Sequence, residues 1–171
     1  MKPKPSPLKI LDIAITQFDF SFIPSKDQDE ALNYFDSYEL DIDFIIHGNE
    51  HLMVQLKADV NRIENPLPGY SFLAEVTCIF SLDKNLVNSK EMKDSLGGYS
   101  TLYITLNALR SLISNFTSNA PWGRYILPSI DLNDLIEKKK ILLNKMQSEN
   151  KSERTNISKV KPTKKRITRK S

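Results

Sequence analysis

Three stretches of apolar–polar alternation dominate the middle of this chain. Tyr38, Leu40, Ile42, Phe44 and Ile46 alternate with Glu39, Asp41 and Asp43. Leu52, Val54, Leu56, Ala58 and Val60 resume the pattern, and Tyr70, Phe72, Ala74, Val76, Cys78, Phe80 and Leu82 complete it. A period of two puts the apolar side chains on one face of a pleated strand and the polar ones on the other. Strands of this kind need a shared cover, so the chain is committed to a sheet with one packed and one wet face. His47-Gly48-Asn49-Glu50 and Asn65-Pro66-Leu67-Pro68-Gly69 supply the turns, and an antiparallel meander is the economical arrangement.

A further β-like stretch, Leu8 to Ile23, precedes these. Its apolar phase slips: Leu11, Ile13 and Ile15 share one parity, and Phe18, Phe20 and Phe22 the other. A bulge or twist near Thr16-Gln17 has to re-aim the second half. Pro24 stops this strand, and residues 25–37 read as a polar connection with a helical turn around Glu30–Phe35.

Residues 83–98 read as a second polar connection, ending in Gly97-Gly98. Ser100 then caps a helix to about Ser118, with Leu102, Leu106, Leu109, Leu112, Ile113 and Phe116 at helical spacing. Its reverse face carries Asn107, Ser111, Ser114, Asn115 and Ser118. A freely solvated face normally carries Lys and Glu, so small neutral groups suggest that another helix lies there. Asp131 can cap a last helix to about Gln147. The expected fold is α+β: a four-stranded antiparallel sheet followed by two helices packed on one face, with residues 1–7 a Pro-rich arm and residues 148–171 a basic, disordered tail.

A chain of 171 residues supports one domain with a modest core, expected over residues 8–147. A thin sheet with two helices leaves apolar area for a partner. The net charge of +3 conceals an asymmetry: residues 151–171 hold nine Lys or Arg and one acid, whereas residues 1–150 hold fifteen basic and twenty acidic side chains. Cys78 is the single cysteine, so no intrachain disulfide forms and a reducing compartment fits. The opening Met1-Lys2-Pro3-Lys4-Pro5 and the apolar stretch cut by Lys9 and Asp12 match neither a signal peptide nor a membrane span, and a cytoplasmic location is expected. Without a phosphate loop, a nucleophile beside a base, or an evident acid pair, a non-enzyme without cofactor is expected. His47, Glu50 and His51 fall in a turn and assemble no tetrahedral ligand set.

One block of residues is more specific. Leu109-Arg110-Ser111-Leu112-Ile113-Ser114-Asn115-Phe116-Thr117, then Ala120, then Leu127-Pro128-Ser129-Ile130-Asp131-Leu132, resembles the first long helix, crossover loop and last-helix lead-in of the SecB family of export chaperones. Phe72-Leu73-Ala74-Glu75-Val76-Thr77-Cys78-Ile79-Phe80 fits the family's fourth strand, and the likeness spans roughly residues 8–147. The basic tail and the bulky crossover Pro121-Trp122-Gly123-Arg124-Tyr125 depart from the family pattern.

The resemblance implies an ATP-independent holdase for unfolded or nascent polypeptides, serving protein export as a homotetramer built as a dimer of dimers. It places the client groove at Trp122, Tyr125, Ile126 and Leu127, with Phe44 and Phe116 as deeper lining; ordinary core packing is the competing reading for each. It assigns Glu39, Asp41, Asp43 and Glu75 to an acidic sheet face that docks a SecA-type translocation motor, against a merely solvated face. Asn107, Ser111, Ser114, Asn115 and Ser118 become the oligomer interface. Two alternatives stay open: a dedicated chaperone of one client, such as a toxin–antitoxin component, and an adaptor whose tail, Lys159 to Lys170, holds nucleic acid, ribosome or an anionic surface by charge.

Overall fold

The computed structural model describes residues 2, 4–25, 33–48, 51–83, 85, 87 and 89–157, with side chains to residue 146. Four strands form one antiparallel sheet: β1 (Leu8–Ile23), β2 (Leu40–His47), β3 (His51–Val60) and β4 (Gly69–Leu82). Their spatial order is β1-β4-β3-β2. The expected meander holds for β2, β3 and β4, while β1 lies against β4, which gives the spatial order of a Greek key. Length explains the choice: β1 and β4 pair over nearly their full extents, from Leu8↔Leu82 to Ile23↔Gly69.

β1 carries register shifts between Ile10 and Asp12 and between Ile15 and Gln17. The second is the bulge expected near Thr16-Gln17. The first, at Leu11, is an addition, and it moves Leu11 off the face that Ile13 and Ile15 occupy. With both bulges in place, Leu8, Ile10, Ile13, Ile15, Phe18, Phe20 and Phe22 pair with Leu82, Phe80, Cys78, Val76, Ala74, Phe72 and Tyr70. All seven therefore point to the packed face. Thr16, the extra residue of the second bulge, donates its hydroxyl to Glu75 Oε1 at 2.5 Å, which pins the bulge from the open face.

The core lies on the even-numbered residues of β3 and β4 and under one helix. Val54, Leu56, Ala58, Val60, Ala74, Val76, Cys78 and Phe80 are all almost fully buried. Burial pushes the Cys78 thiol up, so it behaves as a small apolar filler. Asn61 closes the turn after β3 with φ 53. Its amide donates to the carbonyls of Leu67 and Tyr70 and accepts the Leu67 N–H, so a fully buried polar side chain is satisfied there.

The helical region begins earlier than the expected Ser100. Ser100 is itself helical and makes no capping bond. Ser89 is the cap, accepting the Met92 N–H at 3.1 Å, and it starts α1 (Lys90–Asp94). A π-helical turn, Ser95–Ser100, carries the chain through both glycines into α2 (Thr101–Thr117). Glycine weakens a helix by only about 1 kcal/mol, so a capped start can run through Gly97-Gly98. α2 buries Leu102, Leu106, Leu109 and Ile113 on the sheet side. Its buried threonines satisfy themselves: Thr105 and Thr117 donate to the carbonyls of Thr101 and Ile113, both at 2.8 Å.

The unit that ends at Ile130 is followed by a second, Asp131–Ser171. Asp131 caps its helix as expected, accepting the Asn133 N–H at 2.9 Å. That helix, α3 (Leu132–Ile157), runs ten residues past the expected end at Gln147. The apolar periodicity stops near Met146, but the following residues are Glu, Lys, Arg, Ser, Thr and Asn without Gly or Pro, and helix propensity continues without it. The tail from residue 158 onward lies outside the described residues.

Candidate functional site

The segment that follows α2, residues 118–130, is anchored at several points. Arg110 donates to the Pro128 carbonyl at 2.9 Å, and the Tyr125 N–H donates to Thr117 Oγ1 at 2.9 Å. Tyr70 reaches up from β4: its hydroxyl donates to the Gly123 carbonyl at 2.8 Å and accepts the Trp122 N–H at 2.9 Å. Gly123 has φ 77, a conformation that favours glycine.

An aromatic cluster fills the space beneath. Tyr125 packs against Phe35, Tyr38 and Phe72, and burial pushes its hydroxyl up to about 12. Tyr38 donates to the Pro68 carbonyl and accepts the Tyr70 N–H, both at 2.8 Å. Burial also raises the Tyr38 and Tyr70 hydroxyls. Gly69 is required here, because a Cβ at that position would run into the Tyr38 hydroxyl.

The expected groove residues divide in two. Tyr125 and Leu127 are buried core because the extended backbone alternates, pointing them inward and Ile126 outward; they cannot touch a client without the loop lifting. Phe44 is buried as well, in the row Phe44–Leu56–Val76–Ile15. It is four ladder steps from the Phe20–Phe72–Val60 row, so it does not line the aromatic site.

The accessible residues are Ile126 at 67 %, Phe116 at 44 % and Trp122, half-buried. Phe116 makes edge contacts with Phe18 and Phe20 at 4.5 and 4.9 Å between centroids. Trp122 stacks on Phe22 at 5.6 Å, and Phe22 is 40 % exposed. The result is a line of partly bared rings along the second half of β1. Sequence reasoning missed Phe22 here, although the Phe18–Phe20–Phe22 spacing signals a single aromatic face. The Trp122 indole N–H is buried with no acceptor among the described residues, an uncompensated donor that costs about 1–3 kcal/mol.

The open face of the sheet is mixed rather than purely acidic. Asp41 and Asp43 pair across β2–β3 with Asp59 and Lys57, and Lys57 bonds Asp59 at 2.6 Å. Glu75 accepts from Thr16 and from Gln55 at 2.8 Å, while Glu39 precedes β2 and uses its carbonyl to accept the Asn61 N–H. The Glu75 carboxylate is thus tied into the sheet's own polar ladder, which strand-and-parity reasoning does not reveal.

The neutral side chains of α2 lie on its outer side. Ser111, Asn115 and Ser118 are exposed, and Asn107 and Ser114 are half-buried. The described residues include no group of three or more His, Cys, Asp or Glu placed to hold a metal ion. No described helix is long and apolar enough to cross a membrane.

No protein-family profile and no curated protein sequence matches the chain. Among solved structures, it is similar to the Mycobacterium tuberculosis SecB-like chaperone in complex with a ChAD peptide from the HigA1 antitoxin. The TM-score is 0.52 at 11 % identity, over 72 % of this chain and 90 % of that one. A Streptococcus agalactiae protein of unknown function aligns more loosely, with a TM-score of 0.42 at 7 % identity, over 72 % and 97 % of the two chains. At such identities the agreement with the first is one of architecture: the chain has the SecB-like fold.

Proposed function

We propose that this protein is an ATP-independent holdase that captures unfolded or nascent polypeptides on the bared rings beside residues 118–130, in the cytoplasm and in the service of export. The observation that carries the reading is the accessible apolar surface of Phe22, Phe116 and Ile126 around Trp122. Rings of this kind accept varied apolar side chains with little geometric demand. Binding only the unfolded state lowers its free concentration by mass action; this role needs no catalytic residue.

A second reading is favoured by the M. tuberculosis neighbour, which was solved with an antitoxin peptide: a chaperone dedicated to one client. Around this core we place three further roles. Asp41, Asp43, Glu39 and Glu75 form a docking face for a SecA-type motor. The neutral face Asn107, Ser111, Ser114, Asn115 and Ser118 joins dimers into a tetramer. The basic tail holds nucleic acid or an anionic surface by charge.

The test is aggregation of a chemically denatured model client, followed by light scattering without ATP. Suppression at a stoichiometric ratio is expected for the native chain, with loss in the double variant Phe116→Ser, Ile126→Asp. A chain that fails at tenfold excess over several clients is no general holdase, and a pull-down with one dominant partner selects the dedicated reading.

A further inference from the structure

Helix α3 leaves the far end of its apolar stripe bare. Leu132 is buried and Leu135 and Ile136 are half-buried, but Leu142, Leu143 and Met146 are 51, 47 and 56 % exposed. At about 3.6 residues per turn these three share one face, in line with Leu135 and Ile136 a heptad earlier. Ile141, also exposed, lies off this face, beside Lys138. The same stretch is strongly basic: Lys138, Lys139, Lys140 and Lys145 have no acid among them.

The places of those lysines are informative. Lys138 and Lys145 stand on the Leu142 side of the stripe and Lys140 on the Leu143 side, so each margin carries positive charge. Lys139 interrupts the stripe itself, where a lysine can lay its stem on apolar surface and keep its charge in water. Lys138 holds Asp134 at 2.8 Å with both side chains well exposed, a pair weak enough to yield to another anion. Beyond the helix, residues 158–171 add seven Lys or Arg and no acid.

We propose that this part of α3 lies on an anionic lipid surface, with Leu142, Leu143 and Met146 entering the headgroup boundary and the flanking lysines meeting lipid phosphates. This rests on the tail's role as a holder of anionic surfaces, given above, and names the surface. A basic helix with a narrow apolar face is suited to lie in the plane of an interface. It cannot cross instead, since no described helix is long and apolar enough to span a bilayer. Lysines close to an anionic leaflet add their attractions, and the basic residues that follow extend the same field.

Charge and spacing decide between occupants. A second copy of α3 would set its lysines against these, a like-charge contact. Nucleic acid would satisfy the charge but leave the apolar side chains in water, and residues 138–171 contain no aromatic ring to stack on bases. A protein groove grips a helix through anchors at i, i+3, i+4 and i+7, whereas the bare face here is about one turn long. Lipid needs only shallow apolar area and diffuse positive charge.

The test is flotation of the full chain with phosphatidylcholine vesicles, pure or with roughly 30 % phosphatidylglycerol, over a salt series. The anionic vesicles should bind at least about tenfold more tightly than the neutral ones, an advantage that shrinks as salt rises. The double variant Leu142→Gln, Leu143→Gln keeps every charge and should weaken anionic-vesicle binding about tenfold, with helix content unchanged by circular dichroism. An environment-sensitive dye on Met146→Cys should blue-shift on anionic vesicles, while the same dye on Asn144→Cys, across the helix, stays in water. Cys78 is buried and leaves labelling to the new thiol. The dye pair decides the matter even where the double variant loses helix. Anionic-vesicle binding indifferent to both leucines, with the Met146 dye in water, overturns the inference while the tail still holds an anionic surface by charge alone. A folded chain that does not float but binds single-stranded RNA overturns it too, and assigns the basic segment to nucleic acid. A chain that binds neither vesicle nor RNA removes the tail's role as well.

Discussion

The two halves of β1 are built from the same kind of residue at the same spacing, yet they meet different fates. Phe18, Phe20 and Phe22 pack under Phe116 and Trp122, whereas Ile10, Ile13 and Ile15 project from the packed face with half their surface bare. The difference lies in what the rest of the chain brings over each half. Tyr70 and Thr117 hold the segment after α2 above the aromatic half through paired hydrogen bonds. No comparable anchor among the described residues crosses the aliphatic half. One half is therefore stabilised within the chain, and the other keeps its isoleucines half-bare.

That contrast predicts a graded set of stability changes. The largest is Phe72→Ala, beneath the aromatic half at 1 % exposure, which should lower unfolding free energy by about 3–5 kcal/mol in urea titration. Alkaline pH comes next. Free tyrosine titrates near 10 and Tyr125 near 12, so the stability gained by keeping it neutral is complete below pH 10. It is lost as pH rises from 10 to about 12, by about 2 kcal/mol, and the raised Tyr38 and Tyr70 hydroxyls add in the same direction. A urea midpoint unchanged across that window contradicts the buried cluster.

Tyr70→Phe should cost about 1–3 kcal/mol, because it strands the Trp122 N–H and the Gly123 carbonyl together, and it should raise amide exchange in residues 120–126. Ile13→Ala marks the other end of the scale. It should change stability by less than about 0.5 kcal/mol. A loss comparable to that of Phe72→Ala would show that the aliphatic half is internally packed after all.

Much of this architecture is legible in the residues. Alternation locates β2, β3 and β4 to within two residues, and the phase slip in β1 marks the bulge at Thr16. The Leu11 bulge escapes because Ile10 and Ile13 leave two phases equally plausible until β4 fixes the register. The helix start escapes because Gly97-Gly98 reads as a break, while the deciding bond, Ser89 to the Met92 N–H, is a local cap inside a stretch that reads as a polar connection. At the candidate site, composition identifies Trp122 and Ile126 as surface residues of a loop. It cannot separate Tyr125 and Leu127 from them, since inward and outward positions in an extended segment depend on where Tyr70 and Thr117 grip the backbone.

Amide hydrogen exchange of the full chain, with and without a saturating unfolded client, tests the account most directly. Slowed exchange is predicted in residues 116–127 and around Phe22, with the amides of β2 and β3 unchanged. Protection confined to the open sheet face, or no protection at residues 116–127 while client is demonstrably bound, would contradict it.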